Sequence, residues 1–205
     1  MNALRFARCA AAIVVALSAT AAHAVTIDWV TVGDPGNTAD TTGFGAVADS
    51  FQIMKYEWTN SQYVDFLNAV DPDGTNPNSV YRNEMGSNAR GGISFDTNAS
   101  AGSKYAARTN MASKPVNYVS WFDAARVSNW LQAGGTTYGT SLSGSAAINS
   151  GAYTLNGATS GNAPAVNPGA TFYVPTEDQW YKAAYYKGSG TNAGYWQYAT
   201  QVTGT

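Results

Sequence analysis

The chain is 205 residues long with a formal net charge of −2, and only 12 % of its residues are charged, about half the usual share for a soluble domain. No basic stripe or cluster is present to neutralise phosphates, so the composition excludes a nucleic-acid or anionic-membrane surface. Six Trp and 13 Tyr argue against disorder, because disordered chains are poor in aromatic residues.

Residues 1–24 read as a secretory signal peptide. Arg5 and Arg8 make the charged start, residues 10–21 are apolar, and Ala22-His23-Ala24 puts small residues at positions −3 and −1 of a cleavage site. The apolar run is about a dozen residues, short of the roughly 20 that a bilayer span needs. Cleavage after Ala24 is expected to release residues 25–205, 181 of the 205, as one secreted or periplasmic domain with no membrane attachment. It also removes the only cysteine, Cys9, and the only histidine, His23, and leaves nine basic against 13 acidic residues. No disulfide framework remains, although the compartment would permit one. The fold must therefore rest on packing, for which this length is sufficient.

In chain order, Phe51-Gln52-Ile53-Met54-Lys55-Tyr56 alternates weakly and predicts a strand. Thr59-Asn60-Ser61-Gln62 then reads as a capping box, and Tyr63, Phe66, Leu67 and Val70 fall on one helical face. Asp71-Pro72-Asp73-Gly74 stops that helix, since Pro cannot continue the backbone ladder. Val116-Asn117-Tyr118-Val119 predicts a second strand. Ser120-Trp121-Phe122-Asp123 starts a second helix, with Ala124, Ala125, Val127, Trp130 and Leu131 on its buried side and Gly134-Gly135 at its end. From Val127 to Thr176 no side chain is formally charged, which marks a long polar loop, with Ala152-Tyr153-Thr154-Leu155 as a strand candidate inside it. Phe172-Tyr173-Val174 predicts a last strand. Thr176-Glu177-Asp178-Gln179 caps a third helix that turns Trp180, Ala183 and Ala184 inward. No repeat or linker divides the chain.

Few residues offer chemistry. Asp71-Pro72-Asp73-Gly74-Thr75-Asn76 resembles the start of a calcium loop, but the bidentate Glu that should follow is missing, so a helix-stopping turn is the better reading. Glu177 and Asp178 are adjacent on a helix and point apart, which suits dipole stabilisation more than paired catalysis. Ser103-Lys104 and Ser113-Lys114 are neighbours in polar loops rather than convincing dyads. Asn98-Ala99-Ser100 is a glycosylation sequon, meaningful only in a eukaryotic secretory pathway. Trp121, Trp130 and Trp180 sit where core packing is the default. Tyr185, Tyr186, Tyr195, Trp196 and Tyr198 are open to two readings: a surface that stacks on a carbohydrate or peptide ligand, or packing against further chain.

Three segments together resemble the sulfatase-modifying-factor family, which includes the formylglycine-generating enzymes and iron-dependent sulfoxide synthases. They are residues 51–63 with Glu57-Trp58-Thr59-Asn60 and Tyr63, then Lys114-Pro115-Val116-Asn117-Tyr118-Val119-Ser120-Trp121-Phe122-Asp123-Ala124-Ala125 followed by Asn129-Trp130-Leu131, and finally Val174-Pro175-Thr176-Glu177-Asp178-Gln179-Trp180 with Ala183-Ala184. The resemblance covers residues 25–200 and implies an α+β, C-type-lectin-like, loop-rich fold. The family's later motifs do not follow Gly194-Tyr195-Trp196-Gln197-Tyr198, so the domain is expected to lack its C-terminal part. The resemblance also implies copper held by paired cysteine thiolates, or a histidine-based iron site. The mature chain has neither residue type. No catalytic or metal-binding residue and no cofactor is therefore expected, the binding residues are left unassigned, and the chain reads as a secreted binding or structural module. The alternative is the N-terminal fragment of such an oxidoreductase, its active half encoded beyond residue 205.

Overall fold

A computed structural model describes residues 25–134, 147–188, 190 and 193–199. The elements in order are β1 (Trp29–Val32), β2 (Phe51–Met54), α1 (Asn60–Val70), α2 (Asn83–Ser87), β3 (Ile93–Phe95), β4 (Tyr105–Ala107), α3 (Trp121–Gln132), a 3-10 turn at Ala147–Asn149, and α4 (Glu177–Tyr185). The domain is thus a small mixed α and β assembly with long connections.

The three long helices start where the sequence predicts, through one mechanism. The side chains of Thr59, Ser120 and Thr176 accept from the backbone N–H groups of Gln62, Asp123 and Gln179, whose side chains in turn accept from the cap amides. Each box satisfies two donors that helix geometry leaves orphaned.

The strands pair only locally. β1 runs antiparallel to β2 with Trp29 opposite Met54 and Val32 opposite Phe51, and β3 pairs with β4 through Ile93 and Ala107. Two-stranded ribbons are marginal alone and need packing support. For β4 it comes from α1, where Asn68 Nδ2 donates to Tyr105 O at 2.9 Å and Asn68 Oδ1 accepts from Tyr105 N at 3.0 Å. That side-chain amide acts as one more rung beyond the ladder.

Three expected strands do not form, and side chains explain why. Tyr118 takes φ +66°, which ends any extended run at 116–119; only Thr59 and Pro115 form a bridge nearby. At 152–155, Tyr153 N donates to Asn129 Oδ1 at 2.7 Å rather than to a strand. At 172–174, Phe172 N donates to Gln132 Oε1 at 3.3 Å and Val174 N to the Tyr153 hydroxyl at 2.9 Å. Groups on α3 and its loop take the place of a neighbouring strand. β1, β3, β4 and α2 carry no clear signal in the sequence, because three- to five-residue elements are too short for periodicity to register.

The main core joins α1 to α3. Tyr63, Phe66, Leu67 and Val70 meet Val127, Trp130 and Leu131, with Ile93, Tyr105 and Ile148 closing the sides. The Phe66 and Trp130 rings meet edge-on at 5.6 Å. A smaller cluster gathers Phe122, Ala125, Ala152, Tyr153 and Leu155 on the other side of α3. Each large side chain buried here contributes about 1.5–3 kcal/mol relative to exposure.

Candidate functional site

The calcium-like turn is consumed by structure. Asp71 is buried, and its carboxylate accepts from Thr75 N at 2.9 Å, from Asn76 N at 3.0 Å and from the Tyr105 hydroxyl. Burial, then the bond to Asp71, pushes the Tyr105 phenol far above its usual range. The carboxylate therefore closes the turn after α1 and ties it to β4.

The remaining candidates separate. Glu177 is exposed, whereas Asp178 Oδ1 accepts from Gly45 N at 2.8 Å, so the two carboxylates face different surroundings. Lys104 Nζ donates to Thr97 O at 2.7 Å, and Ser113 and Lys114 are both exposed. Asn98 is exposed in the turn between β3 and β4. An open groove of about 570 Å³ runs beside this hairpin past Gly91, Ser94, Thr109 and Met111; its one charged lining residue, Arg108, donates to Asn88 O and Gly91 O.

Two of the fully buried polar side chains, Arg126 and Asn129, lie on α3, as Asn60 does on α1 and Lys182 on α4; of the α3 pair, only Asn129 falls in a segment that the family resemblance includes. Asn129 Nδ2 donates to Ile148 O at 2.8 Å and Tyr153 O at 3.0 Å. Arg126 is wholly buried; it donates to Phe122 O at 3.3 Å, Asn149 Oδ1 at 3.0 Å and Ala158 O at 2.8 Å. Burial lowers the Arg126 pKa against the opposing charge of Asp123. The other signal the sequence offers is a basic residue and an amide on the apolar side of a helix that leads into an uncharged loop. These two side chains organise residues 148–158, so their role is structural.

Of the aromatic residues left open by the sequence, Tyr185, Tyr186 and Tyr195 gather with Tyr181 beside an N-terminal strap, residues 34–47. Tyr181 stacks on Tyr185 with ring centroids 4.7 Å apart, Tyr195 packs on Tyr186 at 5.1 Å, and Phe44 reaches Tyr181 at 5.9 Å. The Tyr195 hydroxyl accepts from Asn37 Nδ2 at 2.7 Å and lies 2.9 Å from the acceptors Thr38 O and Gly45 O. The Tyr181 hydroxyl donates to Asp40, whose carboxyl is held below its usual range by the Thr42 side chain and then by Tyr181. Lys182 is buried, donates to Asp34 O at 2.8 Å and lies over the Tyr186 ring; burial lowers its pKa.

This arrangement corrects the predicted orientation of α4. Trp180 is 52 % exposed and Ala183 is exposed, while Asp178, Tyr181 and Lys182 contact the strap and Tyr185 stacks on Tyr181. The helix carries two apolar stripes, and the one bearing hydrogen-bonding tips wins because the strap is polar. Tyr198 is 57 % exposed, whereas Tyr185, Tyr186, Tyr195 and Trp196 are half-buried. Within the C-terminal region the rings with most free surface for a ligand are therefore Trp180 and Tyr198.

Nothing in this arrangement fits a redox metal. Among the described residues no group of three or more His, Cys, Asp or Glu is placed to hold an ion. Copper or iron of the kind implied by the resemblance would need thiolate or imidazole donors. Cys9 and His23 are the chain's only ones, and both lie outside the described residues.

The sulfatase-modifying factor enzyme 1-like family model matches residues 32–205, and the chain belongs to that family. Neither the curated proteins nor the solved structures compared with it give a match.

Proposed function

We propose that this chain is an exported, non-catalytic binding or structural module on the sulfatase-modifying-factor scaffold. One observation carries the reading: residues 25–205 contain no cysteine and no histidine, so the scaffold is retained without the donors that its family's oxidative chemistry requires. In this reading the signal is cleaved after Ala24 and residues 25–205 form one domain of C-type-lectin-like arrangement, secreted or periplasmic. It has no nucleic-acid partner and no membrane attachment. No helix among the described residues is long and apolar enough to cross a bilayer. Its ligand would be a carbohydrate or peptide stacked on Trp180 and Tyr198, the exposed rings of the C-terminal region.

The test is to incubate the purified mature chain with Cu(I) or Fe(II), oxygen and a cysteine-bearing sulfatase peptide. No aldehyde product is expected, and metal-dependent turnover would overturn the proposal. Glycan and peptide arrays probed with wild type, Trp180→Ala and Tyr198→Ala check the ligand; binding that neither substitution weakens places it elsewhere. A second reading, the N-terminal fragment of an oxidoreductase, is favoured by the exposure of Trp180 on a helix whose other side is already covered. Sequencing the gene past codon 205 decides it, since that reading requires in-frame family motifs there.

A further inference from the structure

We propose that the strap and α4 part from each other in one cooperative step while the core around α1 and α3 stays folded. Among the described residues, neither 34–47 nor 177–185 contributes a side chain to either hydrophobic cluster. The two segments hold each other instead. Asp178, Tyr181 and Lys182 of α4, with Tyr195 after it, grip Gly45, Asp40, Asp34, Asn37 and Thr38 through hydrogen bonds. Regions secured by partly exposed hydrogen bonds and few buried apolar contacts open at lower free energy than a packed core.

The strap is built to move as a piece. Its neck is closed by Gly36 N donating to Val47 O at 2.9 Å, and its tip by Asp40 N donating to Phe44 O at 3.0 Å. A loop of about a dozen residues with paired ends is an Ω-loop, which keeps its own shape when its outer contacts part. Both sides are bounded by fixed points. β1 and β2 pair on either side of the strap, and Val174, just before α4, is packed on the smaller core cluster. Opening therefore needs rearrangement only between these anchors, and it uncovers the Tyr181 and Tyr195 rings, which Phe44 and Gly45 meet.

Gly45 offers a way to pry the clasp apart. It sits at φ +92°, and a Cβ there would lie 2.6 Å from the Tyr195 hydroxyl oxygen and 2.7 Å from its ring. Hydrogen exchange, followed peptide by peptide on the full mature chain, tests the proposal in wild type, Gly45→Ala and Tyr195→Phe. In wild type, peptides from the strap and from 177–196 should exchange as one group, faster than those of α1 and α3. Gly45→Ala should speed both members of that group about tenfold or more and leave α1 and α3 unchanged. Tyr195→Phe, which keeps the ring and removes only the hydroxyl, should produce a smaller change in the same peptides. Equal protection of α4 and α3 in wild type, acceleration of the core by Gly45→Ala, or separate responses of strap and α4 would each overturn it.

Discussion

α3 and α4 begin alike, with a hydroxyl cap, a closed capping box and an acidic residue in the first turn, yet they end in opposite surroundings. α3 is buried along nearly its whole length, including Asp123, Arg126 and Asn129, whereas α4 buries only Lys182. The same local grammar therefore yields one helix at the centre of the fold and one clipped to its side by a strap. Capping decides that a helix forms; the apolar area available on its faces decides how much stability it carries.

Substitutions on the two sides should separate accordingly. Phe66→Ala, deep in the core that α1 shares with α3, should cost about 3–5 kcal/mol in urea denaturation through lost burial and a cavity. Asn129→Ala removes three buried hydrogen bonds and should cost about 3 kcal/mol, with increased exchange confined first to 148–158. Lys182→Met gives up one hydrogen bond and a ring contact while relieving a desolvated charge, so it should change global stability by no more than about 1 kcal/mol. A Lys182→Met loss as large as that of Phe66→Ala would erase the distinction between the two helices.

Acid should loosen the clasp before the core. Asp40 has a depressed folded pKa, so the stability it supplies is fully present above its unfolded value, near about 4, and is lost as pH falls through the lower folded value. Its neighbours are Thr42 and Tyr181, with Phe44 N–H beside them. Strap exchange, corrected for intrinsic rate, should stay flat above that pH and rise below it. Asp40→Asn should flatten the response, and an unchanged acid response in that variant would show that another group controls the strap. Smallest of all, Trp180→Ala should stay within about 0.5 kcal/mol, because the ring is more than half exposed.

Much of this contrast is legible in the amino-acid sequence. Three helix starts, the turn at Asp71, the apolar faces of α1 and α3 and the family itself can be read from residue types at short spacing. The strand expected at 116–119 fails because Tyr118 turns to positive φ, and those at 152–155 and 172–174 fail because their backbone groups find Asn129 Oδ1, Gln132 Oε1 and the Tyr153 hydroxyl, partners 21 to 40 residues away. Strand propensity carries no record of such partners.

The sequence by itself determined where the three long helices begin, that the core is aromatic, and that residues 25–205 contain neither thiol nor imidazole; each follows from composition or from contacts within four residues. Tertiary structure alone decided that Arg126 and Asn129 bind the uncharged loop, and that α4 turns Tyr181 and Lys182 inward and Trp180 outward. A helix with two plausible faces offers no local reason to prefer one. The choice rests with the polar strap that arrives from more than 130 residues earlier in the chain.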